Sequence, residues 1–242
     1  MKETKRAFGY VIRLSPYKDN DYIVTAIGKE GVFSFRARGA KKITSKNASS
    51  LLLLGFSSFV LEKSGNTWNL KEGSLLKAPI YKDDLKTMAS LSFLAEVAGK
   101  LIMEEDAPDA FLWLDEGFKA LESGFSVLTL TLLLFARLIE LEGYGLNVDE
   151  CVYCQRKSGI NGINYEAGGF VCNHEENHRG LKHPGTRYLE IVRYAFRCRL
   201  SDLSRVQFDD RECLVIINDL CLYLDQTLDI RIKSLKPLIA SL

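Results

Sequence analysis

Two groups of side chains in this sequence have types and spacings that support chemistry. The first is Cys151-Val-Tyr-Cys154, followed by Gly168-Gly169-Phe-Val-Cys172-Asn-His174-Glu175-Glu-Asn-His178. Zinc takes thiolate and imidazole donors in a tetrahedron, and a CxxC turn offers two thiolates from one tight loop. Cys172 stands eighteen residues beyond Cys154, a usual separation for two ligand pairs, and Gly168-Gly169 suits a second tight turn. A strict second CxxC would end at Glu175, so the fourth donor stays open. His178 closes a five-residue loop with Cys172, His174 a strained one-residue loop, and Glu175 and His183 lie nearby. The expected site is one structural zinc ion on Cys151, Cys154, Cys172 and His178, with His174 next in order for the fourth place. A catalytic zinc would keep an open position beside a general acid or base, for which Glu175 and Glu176 are at hand. The residue order differs, however, from the H-x-E then P-C-x-x-C of zinc deaminases.

The second group is basic. From Gly31 through Leu61 no acidic residue occurs, while Arg36, Arg38, Lys41, Lys42 and Lys46 fall within eleven positions. In a chain whose 32 basic and 31 acidic residues leave a formal charge of +1, that is a local excess. Alternate residues of a strand share a face, so Phe33, Phe35 and Ala37 point one way and Ser34, Arg36 and Arg38 the other. Gly39-Ala40-Lys41-Lys42 then reads as a loop whose small residues admit a partner to the backbone and whose lysines reach phosphates. The five cations are the expected nucleic-acid contacts; Tyr10, Tyr17, Tyr22 and Trp68 are each read first as core or rim residues, with stacking as the alternative. The competing reading is a solvated strand whose charges keep an edge from aggregating.

These side chains need elements to hold them. Runs rich in aromatic and β-branched residues at 9–14, 22–28, 32–38, 55–63 and 67–76, separated by turn residues, predict a small antiparallel barrel or sandwich. After Pro79 apolar residues recur every three or four positions. Helices are expected at 83–104, with Met88, Leu91, Leu94, Ala95 and Ala98 on one face, and at 110–121, 125–141, 187–197 and 210–224. The cysteine and histidine cluster interrupts them at about 148–184. The longest apolar run, residues 125–136, is twelve residues and too short for a bilayer, which takes about 20. The N-terminal segment has no export-signal pattern, so the six cysteines are expected in a reducing compartment, the cytoplasm. Cys198, Cys213 and Cys221 fall within helical patterns and read as core residues.

Gly9-Tyr-Val-Ile12, Asp21-Tyr-Ile-Val-Thr25, Gly31, Arg38-Gly39-Ala40-Lys41-Lys42, then helices, Cys-x-x-Cys, Gly-Gly-Phe-Val-Cys172 and a late Lys233-Ser234-Leu235 occur in that order. The arrangement resembles the RecO family of bacterial recombination mediators over nearly the whole chain. The resemblance implies an α+β fold, with an N-terminal OB-fold β-barrel at 1–80 and an α-helical domain at 81–242 carrying a zinc-finger-like insertion. It implies binding of single- and double-stranded DNA, annealing of complementary strands, and action with RecR to help RecA replace single-strand-binding protein. The acidic C-terminal tail of that last protein is expected on the helical domain, where Arg193, Arg197, Arg199 and Arg205 could form a basic rim. The family implies work at the nucleoid, with no membrane and no bond chemistry. No P-loop, paired acidic metal site or nucleophile motif appears, which agrees with a protein that is not an enzyme. The rival readings are a zinc-dependent nucleic-acid hydrolase or deaminase and an RNA-binding OB module.

Overall fold

In the computed structural model, residues 3–79 and 84–242 are described. The chain divides into two units, Met1–Asp115 and Glu116–Leu242. The first is built on five strands: β1 (Thr4–Tyr17), β2 (Asp21–Gly28), β3 (Gly31–Ala37), β4 (Phe56–Ser64) and β5 (Thr67–Lys77). They close in the order β1-β2-β3-β5-β4. β1 is long enough to serve two partners: Thr4 to Tyr10 pair with β4, and Tyr10 to Tyr17 with β2. The barrel closes through one parallel contact, Arg36 opposite Asn69. Five strands in this order, mostly antiparallel, form an OB-fold barrel.

Alternation explains the core. Val11, Val24, Ala26, Phe35, Ala37, Phe59 and Leu61 turn inward and are buried together, and the rings of Phe35 and Phe59 lie 4.8 Å apart. Two helices follow, α1 (Leu85–Leu101) and α2 (Ala107–Glu122). Asp84 caps α1 by accepting from the Thr87 amide at 2.6 Å. α1 packs on β1, and a Cβ at Gly99 would come within 3.1 Å of the Ile12 carbonyl oxygen, so glycine permits that approach.

In the second unit α3 (Val127–Leu141) is the central element, buried without interruption from Val127 to Ala136. α4 (Thr186–Arg197) and α5 (Asp210–Leu228) pack against it. α5 starts with a reciprocal capping box between Asp209 and Glu212 and ends at Asp229 in the left-handed region. A small sheet, β6 (Ile160–Asn164), β7 (Gly169–Cys172) and β8 (Leu181–Lys182), runs in the order β7-β6-β8. Polar contacts help to join this region to the helices. Tyr165 meets Tyr188 hydroxyl to hydroxyl at 2.5 Å, Tyr188 donates to Asp219 at 2.7 Å, and Arg193 donates to the Val148 carbonyl at 2.8 Å. A last short helix, α6, covers Leu235–Ile239.

Several expectations change. The strand expected at 9–14 extends to both sides as β1, and the sheet β6–β8 was not expected at all. Met88 does not join the buried face of α1; it is 49% exposed in the first turn, where Leu85 is exposed too, and apolar burial starts at Ala89. The helix expected to start at Asp83, and the domain boundary at 80/81, fall outside the described residues. Of the two readings of Tyr10 the core one holds and the stacking one falls: it is 2% exposed and donates to Asp115 at 2.7 Å. Among the described residues no helix is long and apolar enough to cross a membrane.

Candidate nucleic-acid interface and metal centre

The basic run leaves β3 and enters a series of turns at residues 38–48. One buried carboxylate organises it. Asp21, 8% exposed at the start of β2, accepts from Arg36 Nε at 2.8 Å and from the Gly39 amide at 2.8 Å. The Gly39 N–H and then the Arg36 guanidinium hold the Asp21 carboxyl below its ordinary value. Lys41 adds two further stitches to the β1–β2 turn: its amide donates to the Asn20 carbonyl at 3.0 Å and its Nζ to the Lys18 carbonyl at 2.9 Å.

The five expected contacts therefore divide into two kinds. Arg36 and Lys41 fasten the loop, whereas Arg38, Lys42 and Lys46 are exposed and have no ion-pair partner among the described residues. Aromatic faces lie beside the fastened cations: Arg36 is 5.0 Å from the Tyr17 ring, Lys18 is 5.7 Å from the same ring, and Lys41 is 5.5 Å from Tyr22. Trp68 packs against the barrel core and is capped by Lys5 at 4.6 Å and Lys63 at 5.7 Å. Two residues of this surface escaped the sequence reading. Ile43 is fully exposed within the loop, and its signal is a lone large apolar residue in Lys-Lys-Ile-Thr-Ser-Lys. Asp21 is the last acid but one before the acid-free stretch, a position that gives no hint of its two partners.

In the second unit the Sγ atoms of Cys151, Cys154 and Cys172 all lie within 4.8 Å of one another, with Cys154 and Cys172 3.4 Å apart. The CxxC turn is closed by the Gln155 amide donating to the Cys151 carbonyl at 2.9 Å, with Gln155 in the left-handed region at φ +59°. β7 delivers Cys172 against it, and the Glu175 amide donates to the Cys172 carbonyl at 3.0 Å. Sulfurs at about 2.3 Å from a tetrahedral zinc stand about 3.8 Å apart, so these three thiols fit such an ion. Burial by itself raises the Cys151 thiol, but the amides of Cys154, Cys172 and Tyr153 outweigh it and bring the group down to about 7. The Arg156 amide lowers Cys154, yet burial and the two neighbouring thiols prevail and leave it raised.

The histidines stand apart from this group of donors among the described residues. His178 Nε2 is 2.9 Å from a Glu175 carboxylate oxygen, and its ring stacks on Tyr153 with centroids 3.5 Å apart and planes 7° from parallel. His174 is exposed, and His183 Nδ1 lies 3.2 Å from the Asn161 carbonyl. Three of the four arginines expected to form a rim are engaged: Arg193 with Val148, Arg197 with Asp149 and Glu140, and Arg205 with Asp202. Cys213 and Cys221 are buried core residues, as expected, while Cys198 is half-buried.

A closed OB barrel with a fastened basic loop, ahead of a helical unit that gathers three thiols, defines a two-part α+β architecture. The family model for "Recombination protein O N terminal" matches residues 1–79, and that for "Recombination protein O C terminal" matches residues 82–236. The chain belongs to the RecO family of recombination proteins. It is similar to the DNA repair protein RecO of Bacillus velezensis, with 26% identity over 93% of this chain and 90% of the relative. The proteins of the same name from Bacillus cytotoxicus and Bacillus subtilis are each 25% identical over 93% of this chain, covering 93% and 90% of their own lengths.

Proposed function

We propose that this protein is a DNA-binding mediator of recombinational repair, acting in the RecF-type pathway at the nucleoid in the cytoplasm. In this reading it binds single- and double-stranded DNA, anneals complementary strands and, with RecR, helps RecA onto DNA coated by single-strand-binding protein. The observation that carries the reading is the loop after β3: Asp21 and the β1–β2 turn fix its base, and Arg38, Lys42 and Lys46 are exposed with no ion-pair partner among the described residues. A fixed base with free cations meets phosphates at little ordering cost, while Arg36 and Lys41 add to the local field and hold the loop's shape. Tyr17, 40% exposed beside Arg36, is the aromatic best placed to stack a base. The tail of single-strand-binding protein is assigned to the helical domain on family grounds, with exposed Arg199 as the remaining rim cation.

A bound zinc would be held by Cys151, Cys154 and Cys172, and His178 is the proposed fourth donor once it leaves Glu175. The ion would supply rigidity, since Cys151 and Cys172 are fully buried and the cluster ties the CxxC turn to β7. That burial favours a structural ion over a hydrolase or deaminase centre, so the proposed protein is a binding protein and not an enzyme.

The test is annealing of complementary oligonucleotides by the wild type and by the triple reversal Arg38→Glu, Lys42→Glu, Lys46→Glu. The expected result is a rate lower by about tenfold or more. An unchanged rate would remove the loop from the DNA surface.

A further inference from the structure

The two edges of β1 are used unequally. One pairs with β4 from Thr4 onward, but the other pairs with β2 only from Tyr10 onward. β2 stops at Gly28, whose backbone crowds the Phe8 carbonyl so closely that a Cβ there would lie 2.4 Å from its oxygen. The chain then turns through Lys29 and Glu30 into β3. Among the described residues no second strand pairs with residues 4–7 of β1. Such an edge leaves main-chain N–H and C=O groups directed outward, a template for an added strand. A cavity of about 630 Å³ opens beside it, lined by Arg6, Phe8, Lys29, Phe33 and Phe56, with Glu30 and Glu104 also on its wall. Phe8 is 48% exposed, and Phe33 and Phe56 are half-buried. One exposed aromatic side chain is ordinary, but three lining one cavity beside this strand edge make a receptive surface.

We propose that the edge of β1 at residues 4–7, which no second strand covers among the described residues, docks an extended acidic segment of a partner protein, which adds a strand there and seats a large apolar side chain in the Phe8–Phe33–Phe56 cavity. A peptide fits the edge because it offers both donors and acceptors at strand spacing, whereas a phosphodiester brings acceptors alone. Acidic chemistry follows from Arg6 and Lys29, which have no ion-pair partner among the described residues, and from Lys5 on the strand itself. Glu30 and Glu104 favour an uncharged side chain inside the cavity, with the segment's carboxylates outside it along β1. A second copy of this chain would set Lys5 and Arg6 against themselves across the new pair. The site lies at the Gly31 end of β3, and the basic loop leaves its Ala37 end, about 20 Å away along the strand. Both surfaces can therefore be occupied together, and this proposal does not rest on DNA binding.

The test uses the full chain, the fluorescent peptide Glu-Val-Glu-Phe-Glu-Val and its lysine counterpart, with amide exchange read at residues 4–8. The acidic peptide is expected to bind, to slow exchange of those amides, and to weaken about tenfold or more with Arg6→Glu/Lys29→Glu, while the lysine peptide fails to bind. No binding of the acidic peptide, binding without amide protection, or indifference to the double reversal would overturn the proposal. So would equal protection by an oligo-dT strand, which would make the edge a nucleic-acid contact.

Discussion

Asp21 carries more of the local architecture than any of the cations around it. Its carboxylate joins the start of β2, the end of β3 and the base of the loop through Arg36 and Gly39. Because its folded pKa is lowered, its contribution is fully present above the ordinary value of 3.8 and is lost as pH falls below that value through the folded one. The Gly39 amide is therefore expected to be protected from exchange at neutral pH, corrected for intrinsic rates, and to lose that protection in this acid range. Asp21→Ala should reduce the neutral protection by about tenfold and abolish its acid step, with the barrel still folded. Equal protection of Gly39 in wild type and variant would show that the loop is fixed by something else. The sequence marked the five basic residues as a group but not their division into fasteners and free contacts. That division depends on Asp21 and on the Asn20 and Lys18 carbonyls, which meet the loop only when β2 and β3 pair.

At the level of elements, legibility followed periodicity. The strands with alternating apolar residues and the strongly apolar α3 were readable because one face or the whole element is buried. The first part of β1 carries no such signal, because Thr4–Phe8 has Lys5 and Arg6 where a buried strand would alternate. The sheet β6–β8 leaves no periodic signal, since its strands have five, four and two residues. The CxxC turn and Cys172 were legible from spacing, and the structure brings those three sulfurs together. The surroundings of His178 were not, because its contacts with Tyr153 and Glu175 have no spacing signature. If a metal holds the turn against β7, Cys151→Ser and chelation should each lower the melting temperature by about 5–10 °C, and the two effects should not add. Calorimetry with and without chelator measures this; additive effects, or no effect of chelation on the wild type, would exclude a shared metal.

Across the whole molecule charge is nearly balanced, 32 basic against 31 acidic residues, so a uniform electrostatic attraction cannot gather DNA. Any affinity has to come from a local surface, and the loop after β3 is where exposed cations, a fixed backbone and an exposed tyrosine coincide. The arginines of the helical unit are largely tied to carboxylates and carbonyls of their own unit. The most direct measurement is the salt dependence of single-strand binding by the full chain and by Arg38→Gln/Lys42→Gln/Lys46→Gln. Three phosphate contacts give a slope of about −2 for log affinity against log salt. The wild type is expected to show that slope and the variant a slope near zero; the same slope in both would contradict the account.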